Sequence, residues 1–261
     1  MSKKQNENVI FVKYIIATKK LSDQIPIMEE IKKKTKKPST KHQPKGLTIL
    51  YEDQDIIVVN KVSGLLTMAS AREREKTAYF ILTKYVKKGS VKSKNRVFIV
   101  HRLDKDTSGL LVFAKTEKAK FFLQDEWQSF SKNYVAVVEG KMREKEGIIT
   151  SYLAENSIHR VFSVRNADKG KFAKTGYKVI KESERFSLID VHLYTGRKNQ
   201  IRVHFYEQGC PVAGDKVYGE KSVGIKRLAL HSAKLTIRHP HTNKEMTFEA
   251  STPTYFKQLI K

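Results

Sequence analysis

From Leu47 onward the chain is a succession of short runs rich in β-branched and aromatic residues, cut by turn formers and interrupted by few helical stretches. That pattern excludes a helix bundle. The lack of regular strand and helix alternation argues against a doubly wound parallel sheet. It implies an α+β fold around a mixed, mostly antiparallel sheet with flanking helices. Leu47 to Tyr51 and Ile56 to Val59, separated by Glu52-Asp53-Gln54-Asp55, read as a hairpin. Further strands are expected at Val97 to Val100, Leu110 to Ala114, Tyr134 to Val138, Ile148 to Leu153, Val161 to Arg165, Thr175 to Lys181, Phe186 to Leu193, Leu228 to Ile237 and Met246 to Glu249. Helices are expected at Thr77 to Lys88, where Phe80, Ile81, Lys84 and Tyr85 share a face, and at Glu117 to Ser129. A third, Asn199 to Gln208, puts Ile201, His204, Phe205 and Gln208 on one face and is stopped by Gly209 and Pro211.

Residues 1–46 break from this pattern. They hold 12 Lys, no Arg and four acids, and Ile31 to Lys41 is a charge-dense run cut by Pro38, so they read as a basic, partly flexible arm. The whole chain carries a formal charge of +24, far more than solubility needs, and its natural complement is a polyanion, nucleic acid first. No window approaches a membrane-spanning helix, and the apolar run Val9 to Ala17 is interrupted by Lys13. The single Cys210 excludes an intrachain disulfide framework and a Cys-based zinc site, and the histidines lack ligand spacing, so no metal and no cofactor are expected. A cytoplasmic monomer fits.

The residues that carry chemistry are concentrated between two apolar strands. His101, Arg102, Asp104, Lys105, Asp106, Thr107 and Ser108 fall within eight positions, a density that belongs either to a site or to a capped turn. Composition leaves both open. The segment Val100-His101-Arg102-Leu103-Asp104-Lys105-Asp106-Thr107-Ser108-Gly109-Leu110-Leu111 resembles the signature of the RluA-type pseudouridine synthases, RNA isomerases in which the aspartate after Arg-Leu is catalytic. Three further blocks follow that family's order over roughly residues 47 to 250. Val59-Asn60-Lys61-Val62-Ser63-Gly64 is similar to its Lys-Pro-x-Gly turn, with Val62 in place of proline. Lys132-Asn133-Tyr134 resembles the strand whose tyrosine lies against the target base. Gly196-Arg197-Lys198-Asn199-Gln200-Ile201-Arg202-Val203-His204 is similar to its Gly-Arg-x-His-Gln-x-Arg-x-His segment, with Asn199 in place of histidine. Arg227 to Leu235 matches the closing strand.

The resemblance implies that residues 47–261 form the catalytic domain, with no S4-type domain recognisable in the arm. It makes Asp104, Tyr134 and Arg202 catalytic, and His101, Arg102, Lys61, Arg197 and Ile201 contacts to RNA or to the target base. Converting uridine to its C-glycoside breaks the ribose bond to N1 and rejoins uracil through C5. An aspartate could attack the sugar, attack the base or remove a sugar proton. Arg202 would orient that carboxylate through a bidentate, charge-assisted bond. A stacked base must first be flipped out, and the resemblance places Arg102 in the vacated stack. Two other readings remain: a basic RNA-binding or ribosome-assembly factor on the same fold, and a base glycosylase.

Overall fold

The computed structural model describes residues 43–69, 73–219 and 225–261, so the expected basic arm lies outside the described residues except for its last four positions. Eleven strands among the described residues form one sheet. In chain order the elements are β1 (Leu47–Glu52), β2 (Ile56–Lys61), α1 (Ala78–Val86), β3 (Phe98–Ile99), β4 (Ser108–Ala114), α2 (Glu117–Asp125), β5 (Ser131–Glu139), β6 (Glu146–Glu155), β7 (Val161–Val164), β8 (Lys171–Glu182), β9 (Phe186–Leu193), α3 (Gln200–Glu207), β10 (Leu230–Arg238), β11 (Glu245–Glu249) and α4 (Thr254–Leu259). The strand order is β1-β2-β4-β10-β5-β9-β8-β6-β7, with β11 on β10 and β3 on β4. Pairing is antiparallel throughout except between β4 and β10. The mixed, mostly antiparallel α+β architecture is the one the strand pattern implies.

The sheet is covered on both faces near its middle. Ile57, Val59, Leu111 and Phe113 join Leu82 of α1 and Phe205 of α3 in one core, while Ile56, Val58, Leu110 and Val112 join Leu123 of α2 in another. Strands buried on both sides favour apolar residues at successive positions, which is why Ile56–Val59 of β2 and Leu110–Ala114 of β4 read as unbroken hydrophobic runs. Thr77 and Thr116 start α1 and α2 by accepting the Phe80 and Ala119 amides at 3.2 and 3.1 Å. α1 buries Ala78, Leu82 and Val86, while Phe80, Ile81, Lys84 and Tyr85 share a face that lines a surface hollow, as their spacing implies. α2 ends at Asp125, short of Ser129, and β3 shrinks to two residues.

Gly109, at φ +112°, is the second residue of β4. A Cβ there would sit 2.2 Å from the Ser232 carbonyl oxygen, so only glycine lets β4 approach β10 in the parallel pair.

His204 and His231 are buried as neutral rings. His204 lies between Thr175 and Ser151, and His231 between Ser108 and the Ala250 carbonyl. Burial pushes both down to about 4. The unfolded chain therefore binds a proton at each between pH 6.5 and 4 while the folded chain does not. Stability is full above pH 6.5 and falls with acid, by on the order of 1.4 kcal/mol per pH unit for each ring. Urea titrations at pH 7, 6 and 5 should show this slope, to which His101, held down to about 3 by burial, adds a third ring, and His231→Gln should remove about a third of it. An unchanged slope in that variant would sink the assignment.

Candidate active site

The polar knot of the sequence forms the loop from β3 to β4, and the turn after β2 holds its backbone from below. The Gly64 amide donates to the Lys105 carbonyl at 2.9 Å, and the Ser63 hydroxyl to the Asp106 carbonyl at 2.6 Å. Thr67, buried, accepts the Leu103 amide at 3.1 Å and donates to the Leu103 carbonyl at 2.8 Å. Lys61 completes the brace. Its ammonium donates to the carbonyls of Val62, Leu65 and Lys105 at 3.1, 2.8 and 3.1 Å, and burial pushes it down to about 8. With the side chain fully buried and three donors committed, Lys61 has no route to a phosphate. The expected RNA contact at Lys61 is replaced by a structural one: the lysine pins the loop on which Asp104 stands.

Arg202 does reach Asp104, but not as a bidentate pair. One nitrogen, Nη1, lies 3.3 Å from the Asp104 carboxylate and 3.0 Å from Asn199 Oδ1. The fork goes to Asp215 instead, Nε donating at 2.6 Å and Nη2 at 2.8 Å. Asp215 has no exposed side-chain surface, and it also accepts the amides of Val217 and Tyr218. Burial opposes both charges, and each holds the other charged: the Asp215 carboxyl lies below its ordinary value and the Arg202 guanidinium above. The Tyr218 ring lies 5.2 Å from the guanidinium. Its hydroxyl bonds both backbone groups of Val161 on β7 and accepts from Asn199. Asn199, at φ +53°, tolerates the left-handed turn that starts α3, and its side chain serves Arg202 rather than capping the helix.

The sequence reading missed Asp215. It sits after Gly214, whose φ of +73° and 2.4 Å approach to the Arg227 carbonyl oxygen admit no side chain. A lone carboxylate between that glycine and Tyr218 was the available signal.

Around this charge system lies an open cleft of about 650 Å³, lined among others by Met68, Arg102, Asp104, Trp127, Tyr134 and Arg197. Tyr134 is buried in the β5 wall, and its hydroxyl is pushed up to about 12, chiefly by burial, so it stays protonated. Arg102 is exposed above the cleft, within 3.5 Å of the Met68 sulfur. Arg197 is half-buried and donates to the Phe172 carbonyl. Ile201 belongs to the main core and reaches the recess beside Asp104 and Tyr134. His101 is stacked on Trp127 at 4.1 Å and accepts the Val112 amide at 3.1 Å; burial pushes it down to about 3, so it offers no charge.

Among the described residues one group, Asp53, Asp55 and His239, has metal-like spacing. Asp53 is already filled by the Tyr51 hydroxyl, His239 and the amides of Asp55 and Ile56, and the other His239 nitrogen accepts the amides of His241 and Thr242. This is a satisfied turn. No described helix is long and apolar enough to cross a membrane.

The family description "RNA pseudouridylate synthase" matches residues 55–207, more than half of the chain, and spans Asp104, Tyr134 and Arg202. The chain belongs to the RNA pseudouridylate synthase family. A relative from Nitrosomonas europaea, named ribosomal large subunit pseudouridine synthase D, is 36% identical over 226 residues, covering 82% of this chain but 64% of its own length. An uncharacterized RNA pseudouridine synthase of Bacillus subtilis, YhcT, is 37% identical over 220 residues, covering 82% of this chain and 72% of that one. The solved structure of human RNA pseudouridylate synthase domain containing 4 superposes with a TM-score of 0.65 at 24% identity, covering 80% of this chain and 90% of that one, which supports the fold. Within this pseudouridylate synthase chain the two departures noted from sequence, Val62 and Asn199, leave the charge system intact: the turn after Val62 keeps its bonds to the loop, and Asn199 supplies a ligand to Arg202.

Proposed function

We propose that this protein isomerises uridine to pseudouridine in structured RNA, with Asp104 as the carboxylate that acts on the reacting nucleotide. The observation that carries this is the convergence of Asp104, Arg202 and Tyr134, from three distant segments, on the recess beside Ile201, with Asp104 and Tyr134 also lining the open cleft. Arg202 is locked by Asp215 and offers a single N–H to Asp104, so the carboxylate is aimed without being consumed: its outer surface, 31% exposed, faces the cleft. Attack on the sugar, attack on the base and abstraction of a sugar proton all need a carboxylate so presented. Tyr134 lines the wall where a flipped uracil would rest, and stacking there contributes about 1–3 kcal/mol. Arg102, exposed above the loop, fills the gap left in the RNA stack, offsetting part of the few kcal/mol that flipping costs. The Nitrosomonas europaea relative's name points to large-subunit ribosomal RNA as substrate.

The test is tritium release from ribosomal RNA labelled at uracil C5 and taken from a strain lacking the gene, with pseudouridine mapped in the same RNA. Absence of release and of any site restored by the protein would end the proposal. The basic arm supplies non-specific phosphate contacts on this reading. Deleting residues 1–41 should weaken RNA binding and flatten its dependence on salt while leaving turnover on a minimal substrate. An unchanged salt slope would tell against the arm's role.

A further inference from the structure

Lys132 is the second residue of β5, two before Tyr134, and alternation along a strand places both side chains on the same face, about 7 Å apart. Both line the cleft. Lys132 is only 5% exposed. Its ammonium donates to the carbonyls of Trp127 and Phe130 at 2.8 and 2.6 Å, which leaves one N–H with no protein partner among the described residues. Burial pushes it down to about 8, and no carboxylate offsets that cost. Lys61 is a useful contrast: fully buried, it spends all three donors on carbonyls and lies off the cleft. A buried cation is normally paired. Lys132 has the Trp127 ring at 5.7 Å but no carboxylate beside it among the described residues, and the cleft it lines is the place where a polyanion is to bind.

We propose that Lys132 grips a backbone phosphodiester of the RNA next to the target uridine. This rests on the reading of the cleft as an RNA site. The two carbonyl bonds fix the ammonium, so the remaining N–H points to one place and selects the path of the strand beside the flipped nucleotide. Trp127, stacked on His101, forms the rigid rim against which Lys132 is braced.

The test uses a fluorescein-labelled RNA stem-loop with an all-uridine loop, in which each loop phosphodiester in turn is replaced by an uncharged methylphosphonate. Binding is read by anisotropy. For the wild type, one linkage should stand out, weakening binding about tenfold when neutralised, the loss expected for one charge-assisted bond. Lys132→Met should bind the unmodified RNA about tenfold more weakly and lose nothing further at that linkage, while Lys132→Arg keeps the wild-type pattern. Additive losses at every linkage, or wild-type binding by Lys132→Met, overturn the proposal. Thermal melts accompany each variant. Should Lys132→Met not fold, a flat methylphosphonate profile in the wild type overturns the proposal equally well. Tritium release is followed separately, so a protein that shows the linkage-specific coupling but no release would refute the enzymatic reading and leave the phosphate contact standing.

Discussion

Asp104→Asn should abolish tritium release from C5-labelled RNA, lowering turnover by on the order of 10⁴-fold or more, the scale set by removal of a residue that acts directly on the substrate. RNA binding and thermal stability should be close to wild type. The geometry explains the separation. Asp104 makes one 3.3 Å contact with Arg202, while the guanidinium's two shorter bonds go to Asp215, so an amide of the same shape leaves Arg202 anchored. The loop itself is held by backbone bonds from Ser63, Gly64 and Thr67, none of which involves the Asp104 side chain. A partly exposed charge of this kind contributes little to stability. Retained turnover in the variant would remove Asp104 from the chemistry.

Asp215→Ala should act in the opposite way, through folding as well as rate. It leaves the Arg202 guanidinium, 11% exposed, without its main partner, and breaking a buried pair from one side costs about 3–5 kcal/mol. Arg202 freed from the fork would swing toward Asp104, so turnover should fall even at temperatures where the variant is folded. A double variant, Asp215→Leu with Arg202→Met, removes both charges and should recover much of the lost stability in urea unfolding while remaining inactive. A double variant no more stable than Asp215→Ala would contradict the account of Asp215 as a counter-charge.

The sheet could be read from sequence because its strands carry their own signature: β2 and β4 hold the unbroken apolar runs Ile56–Val59 and Leu110–Ala114, and burial alternates along much of β5 and β9. The order of the strands could not, since β10 enters between β4 and β5 through contacts separated by about a hundred residues. The same limit hid the site's anchor. Asp104 and Arg202 were visible through a resemblance, but the choice of Asp215 as the bidentate partner depends on where Gly214 turns the chain. Lys61 misled for a different reason. Lysine is almost never fully buried, so a basic residue in an RNA-binding chain is read as a surface contact until three carbonyls are seen around it. The short α4, after Pro253, carried too little periodicity to be noticed.

The place of β10 has a consequence for how the molecule is made. During synthesis β4 and β5 emerge early, yet the strand that joins them comes nearly a hundred residues after β5. Until then the nascent chain lacks the strand that joins its two half-sheets, leaving β5 and the start of β4 with open edges of the kind that recruit a neighbouring chain. His231 on β10, bonded to Ser108 at the mouth of the Asp104 loop, then closes the sheet and sets the loop in the same event. A chain cut short before Leu230 therefore retains Asp104, Tyr134 and Arg202 but has no seam to bring them together.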